Sequence, residues 1–105
     1  KNEEIQIELN QLICIKSESN YAFVYFLEND KISKQLIRNS LTKLMQQLII
    51  FDSIKRCHRS YIVNFSHLIK VSGNARNYNL HIRNLDFSVP VSRNFPKSIL
   101  DKHSN

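Results

Sequence analysis

The dominant hydrophobic period along this chain is two, which commits most of it to β-strands. Apolar and polar residues alternate strictly over Glu4–Leu9, whereas Leu12–Ile15 is apolar at every position. The first pattern predicts a half-buried strand and the second a strand covered on both faces. Tyr21–Leu27 is rich in aromatic residues, and the turn-forming Glu28–Lys31 brings Ile32–Ile37 back as the second strand of a hairpin.

The period changes to that of a helix over one clear segment. Leu41, Leu44, Met45 and Leu48 follow the i, i+3, i+4, i+7 spacing of one helical face. Ser40 stands directly before them, where a serine hydroxyl can cap the first turn. We therefore predict a helix whose apolar face lies in the core.

After Asp52–Ser53 the chain returns to short strand patterns. Gly73 can take a positive φ in a turn predicted at Ser72–Ala75, and a second tight turn is predicted at Asn84–Asp86. Pro90 cannot donate to a ladder, so it places the last strand at a sheet edge or near its end. The predicted strands are Val63–Phe65, Leu68–Val71, Tyr78–Ile82 and Phe87–Val91.

A closing helix is predicted after the last strand. Ser92 would cap it, and Phe95, Ile99 and Leu100 would form its apolar face. The pattern as a whole predicts a mostly β domain with one or two short helices.

Composition fits one folded domain over residues 1–105. The chain is 42% hydrophobic, with one Gly and two Pro, which excludes collagen, low-complexity linkers and intrinsic disorder. No apolar run approaches the roughly 18–20 residues of a membrane span. The first residue is Lys1 rather than Met, so we expect a piece of a longer protein or a processed form.

No enzyme or metal signature stands out. Cys14 and Cys57 lie in apolar stretches without a CxxC pair, which favours buried free thiols in a reducing compartment and leaves a disulfide open. Cys57 and His58 are neighbours, and neighbours on a strand point to opposite faces. The four histidines have no metal spacing, and a single Gly cannot form a phosphate-binding loop. We expect no catalysis, no cofactor and no metal.

Charge is distributed unevenly. Residues 1–30 carry two basic and six acidic residues, whereas residues 31–105 carry thirteen basic and three acidic ones. Between Asp52 and Asp86 there is no acid at all. A basic surface on one side of a domain is typical of proteins that bind polyanions.

The most informative segment joins basic side chains to a strand. Lys55, Arg56, His58 and Arg59 fall within five positions, directly before the apolar run Tyr61–Val63. The planar fork of an arginine can bind guanine O6 and N7, or a phosphate, through two hydrogen bonds. For His58 and Tyr61, packing is the alternative role. Asn64 is expected to hold a turn by bonding to backbone.

This segment closely resembles the LytTR family of bacterial DNA-binding domains. The resemblance covers nearly the whole chain, in order, and its most specific part is His58–Asn64. It rests on Phe51, Arg56–Asn64, Ile69 and Val89–Arg93, and on the upstream Ile15, Ser19–Tyr21 and Ser40–Leu44.

The resemblance implies an elongated arrangement of short antiparallel sheets that inserts loops into successive major grooves. It implies a transcription regulator of a bacterial two-component system, cytoplasmic, with this domain C-terminal to a receiver or sensor domain. The residues it places at base edges are Asn20, Arg59 and Arg93. Those it places at the DNA backbone, or in support, are Ser19, Tyr21, Lys55, Arg56, His58, Ser60, Asn94 and Lys97, with Ala22 as a further candidate.

Double-stranded DNA is therefore the expected partner, with direct-repeat sites and a dimer on DNA as the arrangement to test. RNA or single-strand binding is one alternative, and it needs exposed aromatic rings as stacking platforms. Most of the ten aromatic residues fall at strand positions that predict burial. A protein-interaction module with incidental basic charge is the other alternative, and no membrane contact is expected.

Overall fold

Two antiparallel sheets and two short helices make up residues 4–103, the part of the chain that the computed structural model describes. This confirms the predicted mostly β fold. The strands are β1 (Leu12–Glu18), β2 (Tyr21–Glu28), β3 (Lys31–Ile37), β4 (Ile54–His58), β5 (Tyr61–Asn64), β6 (Leu68–Asn74), β7 (Asn77–Ile82) and β8 (Val89–Pro90). The helices are α1 (Leu41–Leu48) and α2 (Lys97–His103), with single 3₁₀ turns at Leu9–Gln11 and Phe65–His67.

The larger sheet has five strands in the order β3-β2-β1-β5-β4, and the smaller has three in the order β6-β7-β8. Neighbouring strands are antiparallel throughout. The described part measures 40 × 28 × 25 Å, so it is elongated, as expected. Pro90 lies in an edge strand, which confirms its predicted position.

Strand β1 is covered on both faces, as its apolar sequence predicts. Leu12 and Ile15 pack into one core cluster together with α1, which we call the helix-side core. Ile13 and Cys14 pack into a second cluster, shared with the smaller sheet. Two successive residues can face the same side here because a β-bulge shifts the register between Leu12 and Cys14.

Helix α1 forms as predicted. The Ser40 hydroxyl accepts a hydrogen bond from the Lys43 backbone N–H at 3.2 Å, which confirms the N-cap. Leu41 and Leu44 are buried, and Met45 and Leu48 are half-buried against the helix-side core. The predicted apolar face is therefore the face that packs.

The predicted strand Glu4–Leu9 is wrong. Residues 4–8 have no regular secondary structure, and Leu9 begins a 3₁₀ turn. The alternation itself is real, because Ile5 and Ile7 are half-buried against the helix-side core. Alternation reports burial on one side, whereas a strand also needs a partner edge, and neither sheet pairs with this segment.

Two strand predictions and one turn prediction for the second half need correction. Phe65 lies in a 3₁₀ turn rather than in a strand. The predicted strand Phe87–Val91 contracts to Val89–Pro90. The turn predicted at Ser72–Ala75 is centred on Ala75 and Arg76, although Gly73 does take a positive φ of 94°.

The turn after β7 and the start of α2 also differ from prediction. The turn lies at Arg83–Asn84, with Asn84 at φ 65°. Ser92 does not cap the closing helix, because α2 begins five residues later at Lys97. Phe95 precedes that helix, while Ile99 and Leu100 pack into the core as predicted.

Both cysteines are free and buried, as predicted. Burial raises the pKa of Cys14 and of Cys57 to about 12, so both thiols stay protonated at neutral pH. The prediction that the aromatic rings are buried is only partly right. Phe65 is buried and the other nine aromatic residues are half-buried. Lys1 and Glu3, which count in the charge of residues 1–30, lie outside the described residues.

Candidate nucleic-acid interface

Two hairpin turns of the larger sheet lie side by side at one end. The β1–β2 turn is Ser19–Asn20, and the β4–β5 turn is Arg59–Ser60. Because β1 and β5 are antiparallel neighbours, the end of one lies next to the start of the other. The Ser17 N–H donates to the Ser60 carbonyl at 2.8 Å and fixes the two turns relative to each other.

A third segment joins them from the smaller sheet. The Ser92 N–H donates to the Cys57 carbonyl at 2.8 Å, just before the β4–β5 turn. The Ser92 hydroxyl accepts from the Asn94 N–H at 3.3 Å, and its carbonyl accepts from the Phe95 N–H at 3.1 Å. This tight turn leaves Arg93 and Asn94 exposed. We call the surface formed by residues 17–21, 58–60 and 92–94 the turn face.

The candidate residues divide by exposure. Ser19, Asn20, Arg59, Arg93, Asn94 and Lys97 are exposed. Tyr21, Lys55, Arg56, His58 and Ser60 are half-buried. Ala22 is fully buried, so the expectation that it contacts DNA is wrong.

The two arginines at the turns have free side chains. Within residues 4–103, the guanidinium groups of Arg59 and Arg93 make no hydrogen bond and no ion pair. The Arg59 carbonyl, in contrast, is held by a 2.7 Å bond from Arg56 Nη2. The backbone at this turn is therefore fixed, while the charged end of its arginine stays available to a ligand.

Arg56 is used inside the fold. Its Nη1 donates to the Thr42 hydroxyl in the first turn of α1 at 3.0 Å, and its Nη2 donates to the Arg59 carbonyl. Its Nε is buried and has no hydrogen-bond partner among residues 4–103. The Arg56 guanidinium thus connects α1 to the β4–β5 turn. Its position fits a residue that supports this turn better than one that contacts a phosphate.

His58 is held as a neutral ring. Its Nδ1 accepts the Ser60 N–H at 3.1 Å, and its ring meets Tyr61 edge-on with centroids 5.8 Å apart. Partial burial, and then the nearby charge of Arg59, lower the pKa of His58 below its usual value. With Nδ1 accepting, the neutral ring carries its proton on Nε2 and can donate it outward.

Lys55 behaves as a surface charge. Its Nζ lies 3.5 Å from an Asp52 carboxylate oxygen, and the Asp52 side chain is fully exposed. Such an exposed pair contributes little to stability and can exchange its partner for another anion. Lys55 is therefore a surface cation in β4, the strand that leads to the turn face.

Sequence reasoning missed Arg38 and Thr42. The Arg38 guanidinium lies over the Tyr21 ring at 5.5 Å and donates to the Tyr21 hydroxyl at 3.3 Å. Thr42 lines a cleft of about 280 Å³ with Ser19, Asn20 and Arg56. The available signal was position: Arg38 follows β3 directly and Thr42 opens α1, at the sheet end that carries the turns.

A second, larger groove runs between β4 and the Ser92–Pro96 segment, with a volume of about 580 Å³. Its lining combines apolar residues, among them Met45 and Phe95, with the polar and charged Arg56, Arg59 and Asn94. In the part of the chain described, no group of three or more His, Cys, Asp or Glu side chains could hold a metal ion. Across residues 4–103 the helices are too short to cross a bilayer.

Known proteins are similar to this chain in both sequence and fold. The LytTR family model, described as the LytTr DNA-binding domain, matches residues 2–103. An uncharacterized response regulatory protein of Vibrio cholerae serotype O1 is 34% identical over 98 residues, which is 89% of this chain and 35% of that relative. A solved LytTr DNA-binding domain from Bacillus cereus matches with a TM-score of 0.73 and 25% identity, covering 94% of this chain and 85% of that one. The chain therefore belongs to the LytTR family of DNA-binding domains.

Proposed function

We propose that this chain is the DNA-reading output domain of a bacterial response regulator, and that the turn face enters successive major grooves of specific duplex sites. The observation that carries the proposal is the meeting of three turns, fixed by backbone hydrogen bonds from Ser17 to Ser60 and from Ser92 to Cys57. They present Arg59 and Arg93, whose guanidinium groups make no hydrogen bond or ion pair within residues 4–103, on a face whose one acid is the exposed Glu18.

The roles divide by chemistry. Arg59 and Arg93 have a planar fork that matches the O6 and N7 edge of guanine, and Asn20 has an amide that matches adenine N6 and N7. Ser19, Asn94, Lys55 and Lys97 supply phosphate contacts, which position a domain without specifying sequence. Arg56, His58, Tyr21 and Ser60 hold the turns, because their polar groups bond within the protein.

The chain spans about a third of the length of its Vibrio cholerae relative. That relative is a response regulatory protein, and its extra length leaves room for a further domain. We propose that this domain lies C-terminal to a receiver or sensor domain in a cytoplasmic regulator. Direct-repeat sites with two bound copies are the arrangement we expect.

RNA or single-strand binding is less well supported, because that mode stacks bases on exposed rings. All ten aromatic residues of this chain lie in the described part, and each is buried or half-buried. The interaction-module alternative is favoured by Ile49 and Ile50, which are 68% and 79% exposed. Two exposed isoleucines make a small patch, and single apolar residues on a surface are ordinary.

Selection of binding sites from random duplex DNA tests the proposal. We expect one enriched motif, repeated in the same orientation, with single-stranded RNA as a poor competitor. Affinity for the motif should fall with salt at a log–log slope of about −4 to −5, if four to six phosphates are neutralised. Failure to enrich any motif, or equal competition by RNA, would contradict the proposal.

A further inference from the structure

The smaller sheet carries an exposed arginine that none of the roles above includes. Arg76 lies in the two-residue turn between β6 and β7. Its backbone N–H donates to the Asn74 side-chain oxygen at 3.0 Å. Its guanidinium has no hydrogen bond or ion pair among residues 4–103.

Arg76 shares a small cleft, about 40 Å³ in volume, with Arg93 and Lys97. The rest of the lining is neutral and includes Tyr78 and Phe95, so no carboxylate lines the cleft. The acid nearest in sequence is Asp101, one helical turn from Lys97, and it makes no ion pair within residues 4–103. Three positively charged side chains therefore line one cleft, without an acidic partner among residues 4–103.

This cleft adjoins the turn face. The Val91 N–H donates to the Tyr78 carbonyl at 3.1 Å, which attaches the start of β7 to the segment that leads to Arg93. The next residue, Ser92, is bonded to Cys57 beside the β4–β5 turn. The β6–β7 turn thus lies next to the turn face on the same basic surface.

The β6–β7 turn is also built to hold its shape. Gly73 pairs with Tyr78 and has a φ of 94°, a conformation that favours glycine. A Cβ at Gly73 would collide with the Asn77 carbonyl oxygen. The chain's single glycine is placed where this hairpin needs it.

We propose that Arg76 and Lys97 bind a DNA phosphate next to the base pair that Arg93 reaches, so that the DNA footprint extends from the larger sheet onto the smaller one. This rests on the proposed function. A guanidinium fork binds phosphate through two parallel hydrogen bonds, and a cleft without carboxylates does not repel the anion. Such a contact adds affinity for every duplex and no sequence preference.

Arg76→Gln tests this, with Arg83→Gln as the matched control. Arg83 is also an exposed arginine, but it lies in the turn at the other end of β7. Each variant of the 105-residue chain is titrated against the selected duplex and a scrambled one at several salt concentrations. We expect Arg76→Gln to weaken both duplexes by about three- to tenfold and to make the salt slope shallower by about one unit, and Arg83→Gln to change neither.

Arg76→Lys adds a check that keeps the charge, and it should retain most of the affinity and the slope. Two results would overturn the inference: equal binding by Arg76→Gln and the parent chain, or a loss by Arg76→Gln on the selected duplex alone. Both leave the proposed function standing if Arg59→Ala still lowers the preference for the selected site. A parent chain without any preference between the duplexes would instead contradict the proposed function.

Discussion

The two ends of the larger sheet are both built from hairpin turns, but their polar groups are used in opposite ways. At the β2–β3 end, Glu28 accepts from the Ser33 hydroxyl at 2.8 Å, and the Asp30 carbonyl accepts from the Asn84 amide at 3.1 Å. At the other end, Arg59 and Arg93 have no side-chain partner within residues 4–103.

The difference supports the proposal that the turn face is the end that binds DNA. The β2–β3 end carries acids, partly balanced by Lys31, and two of its polar groups, the Glu28 carboxylate and the Asp30 carbonyl, bond within the protein. The turn face carries two arginines that have no side-chain partner among the described residues 4–103, on a backbone that other residues hold in place. A charged group that is rigidly presented and internally unpaired can bind a ligand without first breaking a bond.

Leu44→Ala should have the largest effect, because it should lower the stability of the fold without changing which DNA sequence is bound. Leu44 is 9% exposed in the helix-side core, so the change should lower the free energy of unfolding by roughly 2–5 kcal/mol. Denaturant unfolding measures this loss. The ratio of affinities for selected and scrambled duplex should stay constant while the protein is folded, and a changed ratio would mean that the core also shapes the turn face.

Arg59→Ala and Arg93→Ala should sharpen the comparison directly. Each should cost about 1–3 kcal/mol of binding on the selected duplex and much less on a scrambled one, because a base contact is lost. Lys55→Ala should weaken both duplexes equally and flatten the salt slope by about one unit. If both arginine variants lose equal affinity on the two duplexes, the arginines contact phosphates, and the Ser19–Tyr21 turn must read the bases.

Arg56→Lys tests whether the turn face depends on an internal support. A lysine keeps the positive charge but cannot donate to Thr42 and to the Arg59 carbonyl in the same fork geometry. We expect a loss of about 1 kcal/mol in specific binding, with the salt slope unchanged. Thr42→Val, which removes only the α1 partner, is the matched control and should show a smaller loss. An unchanged specificity in Arg56→Lys would show that the turn needs no such support.

The smallest expected effect is the pH dependence from His58. Its pKa is lowered in the folded chain, so the unfolded chain binds more protons as the pH falls below about 6.5. The stability from neutral His58 is therefore full above that pH and declines below it. In His58→Gln, the difference in Tm between pH 7.5 and pH 5.5 should shrink, with His67, His81 and His103 still present. An equal difference in both proteins would assign the pH dependence to other groups.

The sequence by itself determined much of the local structure and indicated most residues of the candidate site. Alternation and turn residues predicted most strands, the i, i+3, i+4, i+7 pattern with Ser40 predicted α1, and the run from Arg56 to Asn64 indicated the family. These signals are local, because periodicity, capping and turn chemistry depend on neighbours within a few positions.

Only the tertiary structure decided which segments pair as strands and which basic side chains bond within the fold. Glu4–Leu9 alternates like a strand yet pairs with neither sheet, because alternation cannot specify a partner edge. Arg56 and Arg59 are three positions apart and equally basic, yet the Arg56 guanidinium bonds within the fold and that of Arg59 has no partner in the part of the chain described. A guanidinium donates hydrogen bonds to the acceptors that lie within about 3 Å of it. The Thr42 hydroxyl lies within that distance of Arg56 only because α1 packs against the sheet.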